Sequence, residues 1–551
     1  MVDPVTVEVI RHAAIFAAEE MGVVLRNAAF SPNIKDRLDH SCAILTPEGD
    51  LVAQAEHIPV HLGSMPVGVK NMVSYLEREG IEIRPGDVFL SNDPYITGTH
   101  LNDLMLLKPV FVGETLVAFV ANKAHHVDVG GSAPGSMGVE ARSLIEEGLV
   151  IPPVRIASQG RLRSDLLKLL EANVRTPRYF RGDLLAQIAA LNVGERRIRE
   201  LVSKYGTTAV LDAWSEILAY TERYTRSVIR ELVEKHGEGE YTAEDYMEMP
   251  SDELVRIKTT LSIKADSIRV DFTGTSRQVN IPINAVYGVT VAATTFALKS
   301  VIDPEMPMNQ GFYRVVDIKA PSGTLVNPVP PAPVGGGNVE TSQRIADVVL
   351  KALAQAFPGR VPAASCGTMT NLLLGGSRWA FYETIACGSG ARPCCDGVDG
   401  VHTNMTNTLN TPIESAEQEY PLLFVAYELR PDSGGPGEYR GGLGVIRAIR
   451  VLEDNVVATV FSERARLRPW GLAGGKPGEP SNHYVVKADG SIVKLGSKAT
   501  IILGKGDTIY INTPGGGGYG DPCRRPRELV ERDLEDGKIS LDHAKQYYCY
   551  G

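Results

Sequence analysis

Basic charge is in deficit along this chain of 551 residues. Its 56 Lys and Arg stand against 66 Asp and Glu, a net charge of −10. Proteins that neutralise nucleic-acid phosphates carry a basic excess, so a nucleic-acid partner is disfavoured. The first residues lack a basic stretch followed by an apolar run, which excludes a secretory signal of the usual kind. Long hydrophobic runs are missing too. The best candidate, Ile281 to Leu298, holds Pro282, Asn284, Gly288 and three threonines, and reads as a buried helix rather than a membrane span. Cysteine is sparse: the seven, at 42, 366, 387, 394, 395, 523 and 549, show no framework spacing, and adjacent Cys394 and Cys395 do not bridge easily. They are expected to be reduced thiols of a cytoplasmic protein. No Gly-x-x-x-x-Gly-Lys-Ser/Thr phosphate loop and no Gly-x-Ser-x-Gly nucleophile turn occurs. Ser365-Cys366-Gly367 has no assignable His partner in sequence. No repeat of 20–50 residues stands out, which excludes a solenoid.

What is present is ordinary globular composition, 43% hydrophobic and 22% charged, which excludes a disordered or fibrous chain. Apolar residues at helical spacing (Val9, Ile10, Ala13, Phe16, Ala17, Val24) predict an opening helix over Thr6 to Ala28. Ser41 to Ala53 reads as a hairpin turning at Pro47-Glu-Gly-Asp. Pro66 to Glu79 reads as a helix; Asp87 to Ser91, Met105 to Val112 and Thr115 to Asn122 read as strands. Leu-, Ala-, Glu- and Arg-rich segments between 160 and 234 are helical. Strand signals return from Tyr241 to Gly274, helices are expected over Ile281 to Ile302 and Val339 to Phe357, and strands with Gly-rich turns follow Pro362. The expected class is α+β (mixed α/β), in four intimately packed regions: 1–160, 161–240, 241–360 and 361–551.

Metal-capable side chains concentrate between residues 36 and 128, and seven of the 11 histidines fall within the first 126 residues. In Gly98-Thr-His-Leu-Asn-Asp103, His100 and Asp103 are three apart, so a helix or tight turn points both one way. In Asn122-Lys-Ala-His-His-Val-Asp128, alternate strand residues share a face. His125 and His126 therefore point oppositely, and only one readily joins His100 and Asp103; His126 and Asp128 share the other face. Arg37-Leu-Asp39-His40 brings a further carboxylate into the hairpin. Imidazoles with carboxylates form an N/O donor set suited to Zn²⁺, Mn²⁺ or Fe²⁺, with positions left open for water or substrate. His57-Ile-Pro-Val-His61 contains Pro59, which argues against a helix and hence against the helical His-x-x-x-His geometry. His57 and His61 are read as pocket groups.

Two glycine-rich stretches need an account. Pro333-Val-Gly-Gly-Gly-Asn338 precedes an expected helix, and its backbone amides are suited to hold an anion. Pro514-Gly-Gly-Gly-Gly-Tyr-Gly520 formally matches Gly-x-Gly-x-x-Gly, but too little chain follows for a dinucleotide-binding unit. It is read, like Arg440-Gly-Gly-Leu-Gly444, as a tight turn network permitting positive φ.

Many of these words together resemble the hydantoinase B/oxoprolinase family: Gln54-Ala-Glu-His-Ile-Pro-Val-His-Leu-Gly-Ser-Met, Asn92-Asp-Pro-Tyr, Thr99-His-Leu-Asn-Asp, His125-His-Val-Asp-Val-Gly-Gly, Asp271-Phe-Thr-Gly-Thr-Ser, Gly335-Gly-Gly-Asn and Thr406-Asn-Thr-Leu-Asn-Thr-Pro-Ile-Glu. The resemblance runs from near residue 5 to about 525. It implies the B-type subunit of an ATP-dependent enzyme that opens cyclic amides such as hydantoins, 5-oxoproline or lactams, hydrolysing a C–N bond. It further implies a separate A-type subunit that binds ATP and Mg²⁺ and assembly into a hetero-oligomer such as a heterotetramer; the absent signal, span and basic excess add the expectation of a cytoplasmic setting without membrane or nucleic acid. A divalent metal (Zn, Mn or Fe) is implied on Asp39, His100, Asp103 and His125, with His126, His57 or His61 relaying protons. Two rival readings are a subunit of an ATP-dependent ketone carboxylase and a non-catalytic scaffold for the ATPase partner.

Overall fold

The computed structural model describes residues 2–55, 57–376 and 378–551. They form two compact units, Met1–Thr242 with Thr259–Asn338, and Ala243–Lys258 with Val339–Gly551, instead of four successive regions. The helical stretch 161–240 does not stand alone, because its apolar stripe is spent on the first sheet.

That sheet has seven strands: β1 (His40–Leu45), β2 (Leu51–Gln54), β3 (Val88–Ser91), β4 (Asp103–Val112), β5 (Thr115–His125), β6 (Val154–Ser158) and β7 (Arg161–Leu162). Their order is β2-β1-β5-β4-β3-β6-β7, with neighbours antiparallel throughout. On one face Met65, Val69, Met72 and Leu76 of helix Pro59–Arg78 pack on Ala43, Leu45, Phe89, Met105, Leu107, Phe119 and Ala121. The other face is covered by helices Pro4–Ala28 and Pro177–Tyr205. A Cβ on Gly194 would meet Met21 Sδ at 2.4 Å and Val120 Cγ1 at 3.1 Å, so glycine lets that helix lie flat on the sheet. Trp214 of helix Thr207–His236 donates its indole N–H to Val117 O at 3.1 Å. Covered on both faces, β4 and β5 read as continuous apolar runs (Leu104-Met-Leu-Leu and Val117-Ala-Phe-Val-Ala) rather than as an alternation.

The second unit is a sandwich. Leu372, Leu374, Phe381, Ala458 and Val460 from one four-stranded sheet pack against Val445, Ile449, Val451, Val485, Ile509 and Ile511 from a five-stranded one. Here the structure corrects two expectations. Cys366 is bonded to Cys387 and Cys523 to Cys549, with Cα–Cα distances of 6.0 and 5.3 Å, so four of the seven cysteines are not free thiols. The fold brings together positions 21 and 26 residues apart, a pairing that spacing alone does not announce. The second correction concerns glycine. Within the stretch 514–520, Gly520 does hold φ 76, but none of Gly515–Gly518 has a left-handed φ. They are glycine because backbone lies against backbone: a Cβ on Gly516 would meet Ser389 O at 2.0 Å, and one on Gly441 would meet Gly516 O at 2.0 Å. The amides of Gly435, Gly516 and Gly517 donate to Gly516 O, Gly442 O and Ala364 O at 2.8–2.9 Å. Among the described residues, no helix is long and apolar enough to cross a membrane.

Candidate metal centre

Antiparallel register builds the centre. Asp103 opens β4, His125 closes β5, and the two are directly paired across the ladder. His100 sits in the turn before β4, after the short helix Pro94–Thr97, which ends on Gly98 at φ 81. Asp39 immediately precedes β1, and its carbonyl accepts the His125 amide at 3.0 Å. Leu38 just before it holds φ 61, a left-handed conformation that L residues rarely adopt.

The donors converge. Ligand atoms of His100, Asp103 and His125 all lie within 4.8 Å of one another. His100 Nε2 is 3.1 Å from Asp103 Oδ1 and 3.2 Å from His125 Nδ1, and His125 Nδ1 is 3.4 Å from Asp103 Oδ1 and 3.9 Å from Asp39 Oδ2. All four side chains are buried. The Nδ1 of His100 donates to Gly335 O at 3.1 Å, because a carbonyl can only accept. A neutral ring then turns its bare Nε2 toward a carboxylate oxygen and a second imidazole nitrogen. Lone pairs so close repel unless a proton or a cation lies among them, and this N/O set suits a divalent cation. The electrostatics agree. Burial works against charge on His100, but Asp103 beside it, the Gly335 carbonyl and Asp39 together raise its pKa. Burial likewise opposes the Asp103 carboxylate, yet His100 and His61 hold it well below the usual range. At His125 burial wins and lowers the pKa.

The proton-relay candidates separate. His61 joins the cluster, its Nε2 3.2 Å from Asp103 Oδ2 and 3.9 Å from Asp39 Oδ1. Pro59 does not prevent a helix here. It starts one, because the first turn needs no N–H from it, and His61 sits in that turn. His57 lies outside the helix against His40, ring centroids 4.9 Å apart, and burial pushes its pKa down to about 4. His126 turns to the opposite face, where it meets Gln187 Oε1 at 3.0 Å and the Phe180 ring at 5.1 Å. His61 lies near enough to His57 to add to the lowering of the His57 pKa, whereas His126 faces away from the cluster. Asp128 is no partner of His126: its carboxylate takes the amides of Gly130, Gly135 and Arg175 and the Arg175 guanidinium.

Two neighbours lie beyond what the sequence pattern indicates. Lys123, two residues before His125 on the same face, is fully buried; its Nζ donates to Ser64 Oγ and Thr97 O at 2.7 Å, and burial pushes its pKa down to about 7. A lysine beside the apolar run 117–121, inside a strand covered on both faces, was the available signal. Glu147 is the other. Its carboxylate accepts the amides of Val334 and Gly335, so the anion held by the 333–338 stretch is the chain's own.

The profile of the family described as Hydantoinase B/oxoprolinase matches residues 3–522. The chain belongs to that family. It is 55% identical to the uncharacterized protein MJ0963 of Methanocaldococcus jannaschii over 99% of this chain and 96% of that protein. It is 33% identical to the B-type subunit of a putative D-/L-hydantoinase of a Pseudomonas species, over 99% and 95%. Identity to a 5-oxoprolinase of Dictyostelium discoideum is 36% over 94% of this chain, which spans 40% of that longer protein. Among solved structures, the ATP-dependent caprolactamase of Pseudomonas jessenii matches with a TM-score of 0.91 and 31% identity, covering 100% of this chain and 96% of that one. The α+β class is shared with that fold.

Proposed function

We propose that this chain is the metal-holding subunit of an ATP-dependent cyclic amide hydrolase that works with a separate ATP-binding partner in the cytoplasm. The observation that carries the reading is the convergence of His100, Asp103, His125 and Asp39 in one buried cluster, in a family whose relatives carry the names hydantoinase and 5-oxoprolinase. His100, Asp103, His125 and Asp39 would hold the ion. A divalent metal there supplies Lewis acidity toward a carbonyl or acidifies bound water.

The chain's own residues do the rest. The Gly335 carbonyl fixes the His100 tautomer. Asp103 offers one oxygen toward His100 and His125, while its other oxygen faces His61. His61, with Nε2 3.2 Å from Asp103 Oδ2, would relay protons there. Cyclic amides are poor electrophiles at neutral pH, and ATP on the partner would activate the ring before it is opened.

The test is turnover by the chain co-purified with its ATP-binding partner. Hydantoin, 5-oxoproline and lactams are offered with ATP, before and after chelation and metal return. ATP-dependent ring opening that is lost on chelation and restored by Zn²⁺, Mn²⁺ or Fe²⁺ is expected. Turnover indifferent to chelation would make the chain a scaffold, and bicarbonate incorporation into a ketone without ring opening would place it in a carboxylase.

A further inference from the structure

The segment 330–338, which reaches the candidate centre, is neither strand nor ordinary helix over most of its length. Its Gly335 carbonyl takes the Nδ1 proton of His100 at 3.1 Å, and Asn338 Nδ2 lies 3.5 Å from Asp103 Oδ2. An irregular strap that sets two donors must itself be held. Tyr95 Oη donates to Ala332 O and Asn284 Nδ2 to Pro333 O, both at 2.8 Å, and the Gly336 amide donates to Pro282 O at 2.6 Å. A charged group holds it as well, the carboxylate of Glu147. Both its oxygens lie 3.0 Å from the Val334 amide, and Oε1 is 2.7 Å from the Gly335 amide. These are the two peptides that lead into the carbonyl His100 uses.

We propose that Glu147 is a positioning residue for the candidate centre: by clamping the Val334 and Gly335 amides it keeps the Gly335 carbonyl on His100 Nδ1 and so keeps Nε2 as the ligating nitrogen. The proposal rests on the metal reading above for its consequence, but not for the placement of the proton. Glu147 is 2% exposed, and an unpaired buried carboxylate is costly; here two amides meet it. A Cβ on Gly335 would come within 3.0 Å of Oε1, so glycine is what lets the carboxylate reach the amide. Burial pushes the Glu147 pKa up to about 7, against the pull of the two amides. Partners that orient a ligating histidine fix its tautomer, and their loss typically costs about ten- to a hundredfold in metal affinity.

The experiment has two arms. In the first, the full chain is labelled with ¹⁵N only in histidine and freed of metal, and the His100 signals are assigned with His100→Asn. Recorded at alkaline pH, where the metal-free ring is neutral, the wild type is expected to show the Nδ1-protonated signature, and Glu147→Gln a shift toward the other tautomer. In the second, zinc is titrated into the same proteins. Glu147→Gln is expected to weaken binding about ten- to a hundredfold. Glu147→Asp, which keeps the charge one methylene short, should fall between, and it carries both arms if the glutamine variant does not fold. Tyr95→Phe, which removes a strap bond away from Gly335, should change affinity by less than about threefold, since that bond touches neither clamped amide. An unchanged His100 signature together with unchanged zinc affinity in a folded Glu147 variant overturns the proposal, as does an equal loss in Tyr95→Phe. A wild type that takes up no zinc, manganese or iron sinks the metal reading instead, while the first arm still decides where Glu147 places the proton.

Discussion

His483 shows what burial does to an imidazole that no carboxylate rescues. It is fully buried with Nε2 3.0 Å from Ser462 Oγ, and burial, with Arg430 adding to it, pushes its pKa down to about 3 from 6.5. The folded ring therefore stays neutral while the unfolded chain takes up a proton below 6.5. Its contribution to stability is complete above that pH and is lost as pH falls toward 3. At pH 5.5 the loss relative to pH 8 is about 1.4 kcal/mol. Denaturation at the two pH values, on the wild type and on His483→Gln, should show the pH-dependent loss smaller by about that amount in the variant; equal losses would contradict it. His100 shifts the other way: Asp103 at 3.1 Å, the Gly335 carbonyl and Asp39 together raise its pKa against burial. The candidate donors were legible from residue types and the resemblance. His61's place beside Asp103 was not, because a proline in sequence reads as a helix breaker, whereas Pro59 at the start of a helix is an initiator. Glu147 was hidden for another reason: a carboxylate that meets backbone amides 187 and 188 positions away leaves no local pattern.

At the scale of elements, chain pattern carried further for strands than for glycines. The β1–β2 hairpin and the β4–β5 pair follow from apolar runs and turn residues, and one register then sets Asp103 opposite His125. The glycines at 515–518 follow a different logic. Their absent Cβ atoms make room for neighbouring backbone rather than for positive φ, a reason no single stretch of sequence discloses. Gly516→Ala should therefore destabilise the chain by about 2 kcal/mol or more, since the obstructing atoms are main chain and overpacking of this kind costs about 1–3 kcal/mol even where side chains can yield. Gly496→Ala, whose nearest neighbour would be Lys498 O at 3.9 Å, should stay within about 0.5 kcal/mol of wild type. Chemical denaturation midpoints of the two variants check this. Equal midpoints would mean that the glycine layers are not held by close backbone approach.

For the whole molecule, the α+β class was readable from the mixture of periods, whereas the grouping into two units was not. Helices from 161–240 serve the first sheet, and a contact pattern of that kind depends on which faces meet rather than on where composition changes. The two disulfides were missed for the same reason. All the candidate donors lie within one unit. The most direct measurement is the metal content of the chain co-purified with its ATP-binding partner, by mass spectrometry of the elements and anomalous scattering at several metal edges. About one divalent ion per chain is expected in the wild type, located among His100, Asp103, His125 and Asp39, and less than about a tenth of that in a His100→Ala, Asp103→Ala double variant that still assembles, because two of the four donors are gone. Stoichiometric metal retained by the double variant, or an anomalous peak away from these side chains, would contradict it.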